Sequence, residues 1–333
     1  MSGPVQPNVH APVLVTGGAG YVGGFAVRAL LAAGERVVVL DDLSTGHRET
    51  VPAGVPLVVA NLRDAAGLRA ALAGTDFSAV MHFAASAYVG ESVTDPRKYW
   101  ENNVGGTLNL LALTLDRGVR AFVFSSTCAV YGEPPVNALS EDLPRAPVNP
   151  YGRTKAVIEQ VLEDYSAATP LRSFRLRYFN ACGASADGKL GEDHAPETHL
   201  IPLTLRAAVS GTPLKVFGTD WPTPDGTCVR DYVHVEDLAA AHVSAIRRLR
   251  EGHPGGALNL GTGHGASVRD VIDAAAKVTG RNVPWTPAPR RPGDPPFLVA
   301  APGRAAEVLG WRPQWTSIER IVASAWAWHQ QHG

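Results

Sequence analysis

PVLVTGGAGYVGG, residues 12–24, is a short apolar strand, a glycine turn and the opening of a helix. PVLVT reads as a buried strand, and a helix-periodic stretch over roughly 22–33 follows the turn and closes at Gly34. Between them lies Gly18-x-Gly20-x-x-Gly23, with Gly17 adding a TGxxGxxG reading. A lone GxGxxG is weak. At the first strand-to-helix turn it has the context that gives it meaning: glycines let the backbone approach a pyrophosphate resting on the helix N-terminus. Gly17, Gly18, Gly20, Tyr21, Val22 and Gly23 are the expected cradle for a dinucleotide. Asp41, at the end of the next strand RVVVL (36–40), offers a carboxylate to the adenosine ribose and repels a 2′-phosphate, which favours NAD over NADP.

Working outward, PLVVA (56–60), AVMHFAA (79–85) and AFVFSS (121–126) continue the series of β-branched runs separated by helical patterns. The fold class is therefore α/β, a doubly wound parallel sheet of Rossmann type. Residues 12–180 read as the NAD-binding domain. After RLRYFN (175–180) the chain is richer in Gly, Pro, Asp and His, with a helix expected around 200–210. Residues 181–333 read as a smaller α/β substrate lobe, with segments around 230–262 returning to the first domain. Helices are expected near 267–279 and 317–330, and PAPRRPGDPP (287–296) reads as a loop or edge.

The 333 residues are 45% hydrophobic and 18% charged, with a net charge of −1, so neither a basic nucleic-acid surface nor a membrane span is expected. MSGPVQPNVHAP lacks the blocks of a signal peptide, and residues 1–11 read as a flexible lead-in. Cys128, Cys182 and Cys228 have no metal or disulfide spacing, no metal ligand set is expected, and a reduced cytoplasm is the expected compartment.

NPYGRTKAVIEQ (149–160) opens a helix behind Asn149 and Pro150 and places Tyr151 and Lys155 on one helix face. Ser125, Ser126 and Thr127 stand at the carboxyl end of the preceding strand, where ligands of open α/β sheets bind. A lysine ammonium and an oxidised nicotinamide would both draw the phenol below its usual value near 10, making Tyr151 an acid–base group for a hydroxyl that loses hydride. Ordinary strand-end hydrogen bonding is expected of Ser125 and Ser126, and Thr127 is the better candidate for chemistry.

The segments HFAASAYVGES, ENNVGGTLNLL, SSTCAVYGEP, RYFNACGA, GEDHAPETHLIP, FGTDWPTPDGTCVRDYVHVEDLA and RRPGD occur in the order found in UDP-glucose 4-epimerases, which are extended short-chain dehydrogenases/reductases. The chain resembles that family from about residue 12 to about residue 328. The resemblance implies an isomerase that holds NAD and inverts C4 of a UDP-sugar, UDP-galactose to UDP-glucose, through a 4-keto intermediate. Thr127, Tyr151 and Lys155 take the catalytic positions. Asp42, Thr45, Gly46, Asn61, Leu62, Phe83, Ala84, Ala85, Ala87, Asn102, Ser125 and Tyr178 join the glycines and Asp41 at cofactor positions. Asn180, His199, Leu200, Phe217, Arg230, Tyr232, Arg291, Asp294 and Leu298 join Thr127 and Tyr151 at substrate positions. The resemblance also implies a homodimer built on helices 99–117 and 150–167.

Some positions depart from the pattern. Ala87 replaces a frequent lysine near the cofactor, and Asn61 an aspartate that meets the adenine, though its amide oxygen still accepts. Leu298 stands where relatives confined to plain hexoses often carry tyrosine, so N-acetylhexosamines and UDP-xylose/UDP-arabinose stay open as substrates. A 4,6-dehydratase needs an acid and a base directly after the threonine, and Cys128 and Ala129 supply neither. GEDHAPETHLIP resembles a UDP-glucuronate decarboxylase less. A catalytically silent NAD sensor on this fold would be expected to have lost the threonine, tyrosine or lysine, and all three are present.

Overall fold

The computed structural model describes residues 11–134, 136, 138–291, 293–301 and 303–332, so the lead-in over residues 1–10 lies outside the described residues. Ala11, included in that lead-in, is buried, and its carbonyl accepts the Ser78 hydroxyl at 2.7 Å.

The elements run β1 (Val13–Thr16), α1 (Tyr21–Ala32), β2 (Val37–Asp41), β3 (Leu57–Val59), α2 (Ala65–Ala71), β4 (Ala79–His82), α3 (Val89–Thr94), α4 (Pro96–Tyr99), α5 (Gly106–Asp116), β5 (Ala121–Thr127), α6 (Pro150–Ala168) and β6 (Arg172–Tyr178). There follow β7 (Asn180–Cys182), α7 (Leu200–Ser210), β8 (Leu214–Phe217), β9 (Val229–His234), α8 (Val235–Arg250), β10 (Gly255–Leu260), β11 (Gly265–Ser267), α9 (Val268–Thr279), β12 (Trp285–Ala288), β13 (Phe297–Leu298), α10 (Arg304–Leu309) and α11 (Ile318–His332). No helix of the described residues is long and apolar enough to cross a membrane.

The main sheet has the order β10-β6-β5-β4-β1-β2-β3, with β1 parallel to β2 and β4, β2 to β3, and β4 to β5. Every residue of β1, β2, β4 and β5 is buried, as expected of strands covered on both faces. The sheet order reverses beside β1, which makes the glycine turn after it a natural ligand site.

The chain forms two compact units, each with its own core. The first holds residues up to Val130, Pro147–Arg177 and Ala239–Leu258. Its core gathers Leu14, Leu40, Leu68, Leu110, Phe122, Phe124 and Leu162. The second holds Tyr131–Ala146, Tyr178–Leu238 and the chain from Asn259. Its core gathers Ile201, Leu205, Val216, Val271, Ile272, Ile321 and Val322. The returning piece is thus Ala239–Leu258 rather than the whole of 230–262. The reason is strand pairing: β9 is bonded to β7, β11 and β13 of the second unit, whereas β10 extends the main sheet.

The helix expected over 99–117 is interrupted. Trp100–Gly105 is a π-helical segment between α4 and α5, the kind of bulge that re-aims side chains at functional sites.

Candidate active site

In the first unit, β5 delivers Ser125, Ser126 and Thr127 to its carboxyl end. Asn149 caps α6, its Oδ1 accepting the Gly152 amide at 2.8 Å. A Cβ on Gly152 would lie 2.6 Å from the Ala129 carbonyl oxygen, so the start of α6 presses against the turn that follows Thr127. That approach brings the Tyr151 phenol to the Thr127 hydroxyl, which hydrogen-bonds it. Thr127 Oγ1 is steadied by the Ala129 amide at 3.1 Å. The Tyr99 ring packs edge-on against Tyr151, 6.4 Å between centroids, with its own hydroxyl between Tyr88 O (2.6 Å) and Glu91 Oε2 (2.8 Å). Tyr99 has no motif of its own; its signal in the sequence is a tyrosine on the helix packed against α6.

Lys155 is buried one turn after Tyr151. Its Nζ donates to the Ser125 carbonyl at 2.8 Å and stands 5.8 Å from the Tyr151 ring centroid. The chain's own groups set both titrations without a nicotinamide charge. Burial pushes the Tyr151 phenol up to about 12, and the Thr127 hydrogen bond offsets this only in part. Burial also pulls Lys155 down to about 7, against the attraction of Glu159. Desolvation outweighs the pairing, with Lys155 buried and Tyr151 partly so. The chain's own residues therefore hold a protonated phenol beside a lysine that titrates near neutrality.

The position of Lys155 predicts a pH effect. Its folded value is below the unfolded one near 10.5, so between pH 7 and 10 the unfolded chain binds more protons and stability rises with pH. The slope expected of a single such group is up to about 1.4 kcal/mol per pH unit. Lys155→Met removes this contribution. Urea midpoints should show the variant's advantage over wild type shrinking as pH rises from 7 to 10, and a constant difference would refute the assignment.

Behind the site, Glu159 is fully buried and takes Arg177 Nε at 2.9 Å and Nη2 at 2.5 Å. Ser126 Oγ donates to the same carboxylate at 2.5 Å, the structural role expected of it.

The glycine turn fits NAD. Gly17 has φ +72°, and a Cβ there would lie 2.5 Å from the Ala84 amide nitrogen, so the turn admits no side chain. No side chain among the described residues caps α1, and its first turn carries no acid, leaving that N-terminus suited to a pyrophosphate. Asp41 is buried, with one carboxylate oxygen accepting the Ala19 amide (3.0 Å) and the other the Leu43 amide (2.9 Å). Each oxygen keeps a lone pair for a ribose hydroxyl. Burial raises its pKa against those bonds. Asp42 accepts from Ser44 and from the Asn61 amide group at 2.8 Å. The Asn61 oxygen already accepts the Arg63 amide and Nε, which occupies the acceptor expected to meet adenine.

Asn102 donates to Ser86 Oγ at 3.1 Å from the π-helical segment. Its neighbour Asn103, to which the sequence assigns no role, is buried and does more. It accepts the Ser86 amide (2.8 Å) and donates to Ser86 O (3.0 Å) and to Thr154 Oγ1 (3.2 Å), so the loop carrying Phe83, Ala84, Ala85 and Ala87 is tied to α6.

In the second unit, Arg230 is nearly buried and pairs with Asp294 at 2.9 Å. Leu298 lies beside Arg230 in the β13–β9 register, and Asn180 beside Tyr232 in the β7–β9 register. The Arg291 guanidinium stacks 4.0 Å over the Phe217 ring. Arg291 and Asp294 also line an open cleft of about 520 Å³ with Trp221 and Arg290. These residues supply cations and an aromatic face suited to a nucleoside diphosphate. His199 Nδ1 lies 2.5 Å from Glu192 Oε1, within its own loop.

The sequence of residues 13–261 matches the NAD dependent epimerase/dehydratase family. The chain is 51% identical over 320 residues to the UDP-glucose 4-epimerase of Rhizobium meliloti (strain 1021), covering 96% of this chain and 97% of that protein. The UDP-glucose 4-epimerase of Brucella ovis, solved in complex with NAD, superposes with a TM-score of 0.91 at 47% identity, covering 95% of this chain and 97% of that one. The Bifidobacterium longum UDP-glucose 4-epimerase, solved with NAD+ and UDP, gives a TM-score of 0.92 at 37% identity, covering 97% and 99%. A glycine cradle before an uncapped helix, an acid at the end of β2 and a Thr–Tyr–Lys group on β5 and α6 thus sit in a chain of matching length and shape, which belongs to the NAD dependent epimerase/dehydratase family, in its UDP-glucose 4-epimerase branch.

Proposed function

We propose that this enzyme interconverts UDP-galactose and UDP-glucose, with Tyr151 as the acid–base residue. The observation that carries the proposal is the Thr127–Tyr151 hydrogen bond with Lys155 beside it at the carboxyl end of β5. NAD, when bound, supplies the hydride acceptor and a positively charged ring. With that positive charge favouring its phenolate, Tyr151 would remove the O4 proton of the sugar, and Thr127 would orient that hydroxyl and hydrogen-bond the phenolate. Lys155 donates toward the nicotinamide ribose with the N–H groups not given to Ser125. Arg230 and Arg291 hold the diphosphate while the 4-keto sugar turns over. Tyr151 then returns the proton, and C4 is inverted with no net redox change.

Purified enzyme without added NAD, mixed with UDP-galactose, should yield UDP-glucose on chromatographic separation. No conversion after NAD is added, with both ligands bound, would overturn the proposal. UDP-N-acetylgalactosamine and UDP-arabinopyranose assayed alongside define the sugar range. Leu298→Tyr should impair any N-acetylhexosamine activity more than hexose activity, and equal effects on both would remove Leu298 as the gate.

A homodimer built on helices 99–117 and 150–167 is supported by Trp100, Leu108 and Val157, which those stretches leave exposed. A cytoplasmic location is supported by three free, buried cysteines.

A further inference from the structure

The loop between β7 and α7 carries a donor set that the reaction does not use. Glu192, His194, Glu197 and His199 each aim one ligand-type atom at a common region, all four atoms lying within 4.8 Å of one another. His194 Nδ1 lies 3.4 Å from Glu192 Oε1 and 3.6 Å from Glu197 Oε2. His199 Nδ1 lies 2.5 Å from Glu192 Oε1 and 3.4 Å from Glu197 Oε1. We propose that these four side chains form a structural site for a zinc-class divalent cation.

Close approach in poor hydrogen-bond alignment supports the site. Glu192 Oε1 and Glu197 Oε2 are buried and accept no well-aligned hydrogen bond among the described residues, although imidazole nitrogens lie beside them. The Glu192 side chain is 6% exposed and that of Glu197 0%. Orphaned buried carboxylate oxygens are costly, and a cation at their common focus satisfies both. Glu197 is also pre-aimed: its other oxygen accepts the Thr198 amide (2.7 Å) and the His199 amide (2.8 Å), which fixes the carboxylate plane. His199 is the N-cap residue of α7, yet its side chain makes no capping bond and its Nδ1 faces Glu192 instead.

The donor chemistry selects the ion. Two imidazoles and two carboxylates suit zinc and its neighbours, whereas magnesium and calcium take oxygen shells. Tetrahedral zinc with bonds near 2.0–2.1 Å places its ligand atoms about 3.3 Å apart. The two separations from His194 Nδ1, 3.4 Å to Glu192 Oε1 and 3.6 Å to Glu197 Oε2, fall within a few tenths of an ångström of that spacing, and the 2.5 Å pair of His199 with Glu192 needs a relaxation outward. Two carboxylates balance a dication when both imidazoles are neutral. Four protein ligands leave no open position, which marks a structural rather than a catalytic ion. The ion would fasten the segment that leads into α7. Cysteine spacing alone does not reveal it; the signal is E-D-H-A-P-E-T-H, four donors in eight residues.

The test uses untagged full-length protein and reads metal content, which does not depend on epimerase activity. Protein from zinc-replete medium should carry ~1 zinc per chain by elemental analysis. After stripping with a chelator, zinc should raise the melting temperature and magnesium should not. His194→Ala with Glu197→Gln should weaken zinc binding at least ~100-fold, since two of the four ligands are lost and removing even a group that merely supports a ligand costs 10–100-fold. Wild-type protein that holds no zinc and shows no thermal response overturns the proposal and leaves a quartet of ion pairs. Unchanged zinc content in the double variant overturns it equally, by placing the ion elsewhere. Should that variant fail to fold, Glu197→Gln alone and calorimetric titration of stripped wild type distinguish the same two outcomes.

Discussion

Replacing Tyr151 with phenylalanine lowers turnover by at least ~100-fold, the contribution of a positioned acid–base group. The ring that packs against Tyr99 survives the change, so α6 and the edge-on contact remain. Only the hydroxyl bonded to Thr127 is lost. Steady-state rates, NAD released on denaturation and circular dichroism together check the result. Near-normal turnover with NAD retained would remove Tyr151 from the chemistry and move the proton transfer to Thr127 or Lys155.

The second large effect falls on stability. Arg177→Met strands the buried Glu159 carboxylate without its guanidinium, the Ser126 hydroxyl still bonded to it, and should cost about 3–5 kcal/mol, the range for breaking a buried ion pair from one side. Urea unfolding measures it. Replacing both partners, Glu159→Met with Arg177→Met, should cost less than the single change, because no charge is then stranded. A double variant weaker than the single one would mean that the pair contributes through packing or through Ser126 rather than through charge. Lys155 gives the network a functional edge, since Glu159, one turn along α6, is the group that opposes its deprotonation.

Local chemistry is legible in the sequence. The glycine turn and the Asn149 cap each rest on residues within a few positions of one another, and Asp41 is marked by its place at the end of β2. Period alone does not place the π-helical break at Trp100–Gly105, because an inserted residue leaves the apolar pattern nearly intact. Asn103 escapes notice for a different reason: its partners, Ser86 and Thr154, are distant in the chain. The upward push of burial on the Tyr151 phenol is not legible, because neighbouring charge can be seen in a sequence and depth of burial cannot. Among substrate candidates, Arg230 with Asp294 and Arg291 with Phe217 meet through pairings 64 and 74 positions apart, which only strand register and loop closure bring about.

The chain changes unit at 130/131, 146/147, 177/178, 238/239 and 258/259. No single cut in the gene therefore yields either unit whole. A fragment ending after residue 180 would lack Ala239–Leu258, and with it most of strand β10 at the sheet's edge. It would also carry 131–146 stripped of the partners that fix it, among them Val299, whose carbonyl receives the Leu139 amide at 2.8 Å. The two units cannot be inherited, expressed or exchanged as separate cassettes. Change in either must come through substitutions made within one continuous reading frame.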